Sequence, residues 1–372
     1  MAKRKQAGKQ QAVVPTSLPA ATHPDFNEVL ALIDAARAKA AAAVNTELID
    51  LYWQIGEYLS RRIADGGWGE GTVKALADHI RRRQPTARGF SAQNLWRMRQ
   101  FYETYRAQPK LSALLRELPW THNLFILGKC KRQEEREFYL RLAAGEKWTS
   151  RELERQIDSA LFERTVLRPA KLSAPLRESH PGAAEVFRDS YLLEFLSLPP
   201  DHSEADLQRG LVEQLKQFLI ELGRDFCFVG SQYPLQVGGR DFALDLLFFN
   251  RALNALVGFE LKIEEFQPEH LGKLEFYLEA LDRDVRKQHE RPSIGVLLCA
   301  TKDNEVVEYA LSRALSPALV AEYQTRLPDK ALLQAKLHEF YALASSPAAE
   351  PVVEGPGPAP AKPGRPGKGR KN

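Results

Sequence analysis

The sequence predicts an α+β protein in two parts: an N-terminal all-α domain and a C-terminal α/β domain of order α-β-β-β-α-β. Three observations carry this. Apolar residues recur at helical spacing from Pro24 to about Arg164, and all five tryptophans (Trp53, Trp68, Trp96, Trp120, Trp148) fall within that stretch. Beyond about residue 205 the pattern changes to short β-type runs, "FCFVGSQYPLQV", "DFALDLLFF", "ALVGFELKI" and "SIGVLLCA", set among amphipathic helices. The 372 residues, 44% of them hydrophobic, suffice for two cores.

In the first part, Pro24 suits the first turn of a long helix that runs through "NTELIDLYWQIGEYLSRR" and stops at Gly66 and Gly67. A second helix, "GTVKALADHIRRR", precedes the turn "QPTARGF", after which Ser91 offers an N-cap for "AQNLWRMRQFYETYR". Leu95, Met98, Tyr102 and Tyr105 repeat there at helical spacing, with Arg97 and Arg99 off the stripe. Shorter helices are expected at "LSALLREL", "WTHNLFIL" and "EEREFYLRLAA", and "SRELERQIDSALFER", capped by Ser150, closes the domain. Arg81, Arg82 and Arg83, a turn and then a helix bearing Arg97 and Arg99 resemble a helix-turn-helix, whose second helix enters a major groove. The turn is longer than the usual three or four residues. Arg97 and Arg99 are therefore candidate DNA contacts; solvated arginines between core aromatics, or a protein-docking face, would read the same way.

Residues 165–204 carry repeated prolines and weak periodicity, which reads as a linker with a short packed segment at "YLLEFL". Next comes one amphipathic helix, "EADLQRGLVEQLKQFLIELG", with Leu207, Leu211, Leu215, Phe218, Leu219 and Leu222 apolar and Gly223 as its stop. Two strands follow around a Gly238-Gly239 turn, then the polar break "NRALN" and a third strand. Pro268 opens the helix "PEHLGKLEFYLEALDRDV", the strand "SIGVLLCA" follows, and "NEVVEYALSRAL" is a trailing helix. The domain spans 205–344. Residues 1–23 and 345–372 are basic, aperiodic and rich in Pro, Gly, Ala or Gln, and read as disordered tails that either attract phosphate backbones or aid solubility.

Composition excludes several classes. No apolar run approaches the roughly 18–20 residues that span a bilayer, and the basic start lacks an apolar stretch after it, so a cytoplasmic protein without membrane contact is expected. Cys130, Cys227 and Cys299 stand far apart and read as reduced and buried, and the eight histidines show no metal-binding spacing.

The segment "FALDLLFFNRALNALVGFELKI" places three charges in two apolar runs, where unpaired charges are costly. With "RALN" as the loop, Asn250 pairs with Ala255, and counting outward sets Asp245 opposite Glu260. Directly opposed residues share a face with Cβ atoms about 4.5–5.5 Å apart, and Lys262 shares the face of Glu260. Two close carboxylates suit a hard divalent cation, Mg²⁺ or alternatively Mn²⁺. A cation there acidifies bound water and stabilises charge on a phosphodiester, while Lys262 positions the water or the developing charge. A salt bridge between Lys262 and the two acids would also satisfy the charges.

The run "VGGRDFALDLLFFNRALNALVGFELKIEEFQPEHLGKLEFYL" resembles the YhcG-type PD-(D/E)xK nuclease domain of bacteria, and "NTELIDLYWQIGEYL", "GFSAQNLWRMRQFYE" and "SRELERQIDSALFER" resemble the helical domain that precedes it in that family. The resemblance covers roughly residues 25–345. It implies a restriction-endonuclease-like fold and metal-dependent action on DNA, with Asp245 and Glu260 as metal ligands and Lys262 as the catalytic lysine. Leu244 stands where the superfamily's name has Pro, and Asp241, four residues before Asp245, is the competing ligand. The superfamily often recruits a Glu from the first core helix, and Glu213 fits by position. Gln232 is candidate support for the site; Gln267 and Lys273 are candidate phosphate contacts; each reads equally as surface.

The expected activity is hydrolysis of DNA phosphodiesters, with RNA also open. The rival readings are a structure-selective junction resolvase and a non-catalytic nucleic-acid-binding or assembly protein that keeps the fold. Two-strand cleavage would favour a homodimer, and partner proteins of a DNA-processing or defence system fit the same chemistry.

Overall fold

The structure is a computed structural model that describes residues 24–345 apart from Gly67 and Pro200. The expected tails, 1–23 and 345–372, lie outside the described residues except for Ser345, which ends a helix. Two compact units divide after Ile157.

The first unit is helical: α1 (Pro24–Ala64), α2 (Glu70–Arg83), α3 (Ala92–Tyr105), α4 (Ser112–Glu117), α5 (Trp120–Lys129), α6 (Gln133–Glu146) and most of α7 (Ser150–Asp158). Ser91 caps α3 by accepting from the Asn94 amide at 3.2 Å. The buried side of α3 is Leu95, Met98, Phe101 and Tyr105. Phe101 thus takes the place expected for Tyr102, which is only half-buried against Trp53, ring centroids 5.1 Å apart. α1 and α3 meet backbone to backbone: a Cβ on Gly56 would stand 2.2 Å from the Met98 carbonyl oxygen.

The second unit is built on a six-stranded sheet. Its elements are α8 (Leu161–Leu167), α9 (Ala174–Ser179), α10 (Ala183–Val186), β1 (Ser190–Leu192), α11 (Glu204–Glu213), α12 (Leu215–Leu222), β2 (Phe226–Val237), β3 (Arg240–Asn250), β4 (Ala255–Glu265), α13 (His270–Asp284), β5 (Ile294–Thr301), α14 (Asn304–Ser312), β6 (Ala318–Gln324) and α15 (Lys330–Ser345). The strand order is β1-β6-β5-β4-β3-β2. β2, β3 and β4 are antiparallel; β4, β5, β6 and β1 run parallel, so helices cover both faces. Phe218, Phe248, Phe259 and Tyr191 fill the core on one face. Leu244, Leu247, Tyr277 and Leu281 pack between the sheet and α13 on the other.

Several expectations are corrected. Residues 165–204 are not a linker: Leu172, Leu176, Ala183, Phe187 and Tyr191 are buried in the sheet core, and β1 pairs with β6. Proline misled because Pro175 occupies the first turn of α9, where its missing N–H costs nothing, behind a Ser173 cap. The single helix expected from Glu204 breaks at Gln214 into α11 and α12. β6, "ALVAEYQ", was not foreseen, because a short apolar run does not distinguish strand from helix by period alone. Cys130 and Cys299 are buried, but Cys227 is exposed on β2, and burial pushes the Cys299 thiol up to about 12.

Candidate active site

Asn250 pairs with Ala255, and the antiparallel ladder runs from there to Leu246 and Phe259. It stops one pair short of Asp245 and Glu260. Leu244 and Leu247 both pack toward α13 while Leu246 and Phe248 face the opposite core, so the strict alternation slips by one within this stretch of β3. Asp245 turns its carboxylate to the parting strands: Oδ2 accepts from the Leu261 amide at 2.9 Å, and Oδ1 accepts from Gln232 Nε2 at 3.0 Å. Gln232 is held at φ +44° on β2, opposite this point. Gln208 Nε2 on α11 donates to the Asp245 carbonyl at 2.9 Å.

Glu260 is fully buried. Its Oε1 receives Lys273 Nζ at 2.5 Å and Lys262 Nζ at 3.3 Å, while its Oε2 is buried with no hydrogen-bond partner. Burial pushes the Glu260 carboxyl up, Asp245 adds to that, and the two ammonium groups pull against it. Lys262 also donates to Glu204 Oε1 and to the Leu261 carbonyl, both at 3.0 Å. Burial opposes the charge on Lys262, but Glu204 and Glu260 outweigh it, so its proton is held above the usual lysine range. Lys273 is likewise raised: burial opposes its charge and Glu260 prevails.

The result is a chain of alternating charge, Glu204–Lys262–Glu260–Lys273, beside Asp245. Asp245, Glu260, Lys262, Lys273 and Gln232 therefore come together. Glu213 does not. It closes α11 exposed to solvent, nine positions after Glu204 and so about half a turn round the helix from it. Glu204 and Gln208, one turn apart, are the α11 residues that reach the site. Both were missed, although the Ser203–Asp206 capping box, readable as S-x-x-D, marks a helix starting at Glu204. Asp241 lies further out, accepting from Gln236 Nε2 at 3.2 Å. Gln267 is exposed, and its backbone amide donates to His270 Nδ1 at 3.2 Å. In the helical unit, Arg97 is exposed, whereas Arg99 is paired with Glu103 at 2.8 Å and lies over the Trp96 ring.

A hard cation fits this donor set. The unpartnered Oε2 of Glu260 and the carboxylate of Asp245 are oxygens, and the carbonyl of Leu261, the residue after Glu260, is a further oxygen that accepts from Lys262. No cluster of three His, Cys, Asp or Glu side chains suited to a metal occurs among the described residues, so water and substrate oxygens would complete the shell. Among the described residues no helix is long and apolar enough to cross a membrane.

Comparison with known proteins also gives two parts, with a boundary that differs from the one after Ile157. Residues 184–338 match the YhcG PDDEXK nuclease domain, and residues 28–164 match the DUF1016 N-terminal domain. The chain is 32% identical to "Putative nuclease YhcG" of Escherichia coli (strain K12), over 84% of this chain and 94% of that protein. Among solved structures it is similar to a repair endonuclease from Pyrococcus abyssi, at 15% identity and TM-score 0.23 over 35% of this chain and 49% of that one. It is also similar to EndoMS in apo form, at 17% identity and TM-score 0.22, over 35% and 48% of the two chains. The chain thus spans about half the length of the solved structures it matches.

Proposed function

The chain belongs to the family of YhcG PDDEXK nucleases, and from that premise we propose that it hydrolyses phosphodiester bonds of DNA with a divalent cation, Mg²⁺ or Mn²⁺. The observation that carries this is Glu260: a buried carboxylate with one oxygen unpartnered, beside a second carboxylate at Asp245. Buried charges without a full set of partners are costly, and such vacancies mark sites that bind something.

Asp245 and Glu260 would hold the cation, which when bound supplies Lewis-acid polarisation of the phosphodiester and an acidified water. The protein's own groups do the rest. Gln232 and the Leu261 amide fix both oxygens of Asp245, so its orientation is set before substrate arrives. Lys262 keeps its proton because Glu204 and Glu260 flank it. It is placed to orient the attacking water and to stabilise charge on the phosphoryl oxygens.

The helical unit would place the nuclease unit on DNA, with the exposed Arg97 as a direct contact. Arg99 would contribute only by leaving Glu103. Cutting both strands of a duplex would call for two copies of the chain, and a partner from a DNA-processing or defence system could dock on the same helical unit.

The test compares the wild-type chain with Lys262→Ala on linear, supercoiled, branched and single-stranded DNA and on RNA, with Mg²⁺, Mn²⁺ or EDTA. Cutting should need the metal and vanish in the variant while binding persists. Cutting that survives in EDTA or in Lys262→Ala would overturn the reading. A preference for branched DNA would identify a junction resolvase, and preferential cutting of RNA would move the substrate class.

A further inference from the structure

Glu260 is enclosed, yet both neighbouring ammonium groups fall on the same oxygen. Oε1 carries Lys262 and Lys273, and Oε2 carries nothing. The two lysines are held very differently. Lys262 is nearly enclosed and tied at three points, to Glu204, Glu260 and the Leu261 carbonyl. Lys273 is half exposed on α13; its ammonium pairs with Glu260 and stands 5.4 Å from the centroid of the Tyr277 ring. A four-carbon stem reaching in from the surface can swing out at little cost; a buried, triply held ammonium cannot.

We propose that Lys273 is a built-in counter-cation: it neutralises Glu260 while the divalent cation is absent, competes with that cation for the carboxylate, and passes to a substrate phosphate once the cation binds. This rests on the metal-dependent reading above and adds an order of events to it. The charge count supports it. Three carboxylates (Asp245, Glu204, Glu260) and two ammonium groups (Lys262, Lys273) leave the metal-free site one negative charge in excess. A divalent cation turns that into one positive charge in excess, and a phosphodiester restores neutrality. Lys273 is the positive group free to move, and an anionic phosphate at the opened site is the partner that then attracts it.

The geometry also fixes the sign of the test. A lysine that only supports the fold should, when lost, weaken metal binding along with stability. A lysine that competes should, when lost, strengthen metal binding. Full-length wild type, Lys273→Gln, Lys273→Arg and Glu260→Gln would be titrated with Mn²⁺ alone by calorimetry, with circular dichroism to confirm folding. Binding to a short DNA duplex in Ca²⁺ would be read by fluorescence anisotropy.

Lys273→Gln should bind Mn²⁺ about tenfold more tightly, because a unit charge in contact with the ligand is removed. Mn²⁺ should also raise its melting temperature more than that of wild type. Lys273→Arg keeps the charge and should show no such gain. Affinity of Lys273→Gln for DNA in Ca²⁺ should fall severalfold.

Unchanged or weaker Mn²⁺ binding by folded Lys273→Gln overturns the competition, and undiminished DNA binding overturns the transfer to phosphate. If wild type does not titrate, or Glu260→Gln binds Mn²⁺ as wild type does, the metal-dependent reading itself falls and this inference falls with it. If wild type binds in a Glu260-dependent way and Lys273→Gln gains nothing, only the inference fails.

Discussion

Glu204 accepts the Lys262 ammonium at 3.0 Å across 58 residues of sequence, so the first turn of α11 holds the lysine in the C-terminal part of β4. The contact restrains the direction of a flexible side chain and preserves its charge. Glu204→Gln should lower kcat roughly tenfold, about 1.4 kcal/mol of transition-state stabilisation, with little change in KM. Steady-state kinetics on whichever DNA form is cut would measure this. A rise in KM at constant kcat would instead assign Glu204 to substrate binding.

Asp245 has two separable duties, which two substitutions should divide. Asp245→Asn keeps an oxygen for the Leu261 amide and should melt close to wild type while losing Mn²⁺ binding and cleavage. Asp245→Ala leaves that amide without its acceptor and should cost about 1–3 kcal/mol of stability in addition. Urea unfolding of the two variants side by side would show whether the gap exists.

A second buried ion pair lies away from the site. Lys302 Nζ meets Asp189 Oδ1 at 2.5 Å, and both side chains are almost wholly enclosed. Lys302→Ala strands a buried carboxylate and should destabilise the sheet unit by about 3–5 kcal/mol, whereas replacing both partners with apolar residues of similar volume should recover much of that loss. Equal instability of the single and double variants would show that packing, not charge, carries the effect.

His180 gives a pH dependence. It is fully buried, and burial, then the nearby Arg291, push its pKa below the usual histidine value; Asp282 and a backbone hydrogen bond at Pro292 oppose that without prevailing. A histidine with a depressed folded pKa favours the fold while neutral. That stability is present above the unfolded pKa of about 6.5 and is lost as pH falls toward the folded value. The melting temperature should therefore drop between pH 7.5 and pH 5.5, and His180→Asn should flatten that drop. Parallel slopes for the two proteins would remove His180 as the cause.

Much of this was written in local pattern. The capped helices α3 and α11, the hairpin register from Asn250–Ala255 outward, and the placing of Asp245, Glu260 and Lys262 on neighbouring strands follow from spacing, because cap chemistry and strand pairing act between residues near in sequence or joined by a short loop. Two strands were not legible. β1 and β6 are short apolar runs, and only their pairing in the sheet, β1 with the distant β6 and β6 with β5, makes them strands.

The site shows the same boundary at closer range. Sequence alone determined that two carboxylates and a lysine lie within one hairpin, and that a helix with several acids precedes it. Only the tertiary structure decided that Glu204 meets Lys262 while Glu213 faces water, that the ladder opens at Asp245, and that Lys273 reaches Glu260. Helical periodicity says which residues share a face but not which face a strand will meet. That choice depends on where the helix starts, where Gln214 breaks it, and how Leu207 and Leu211 seat it on the sheet.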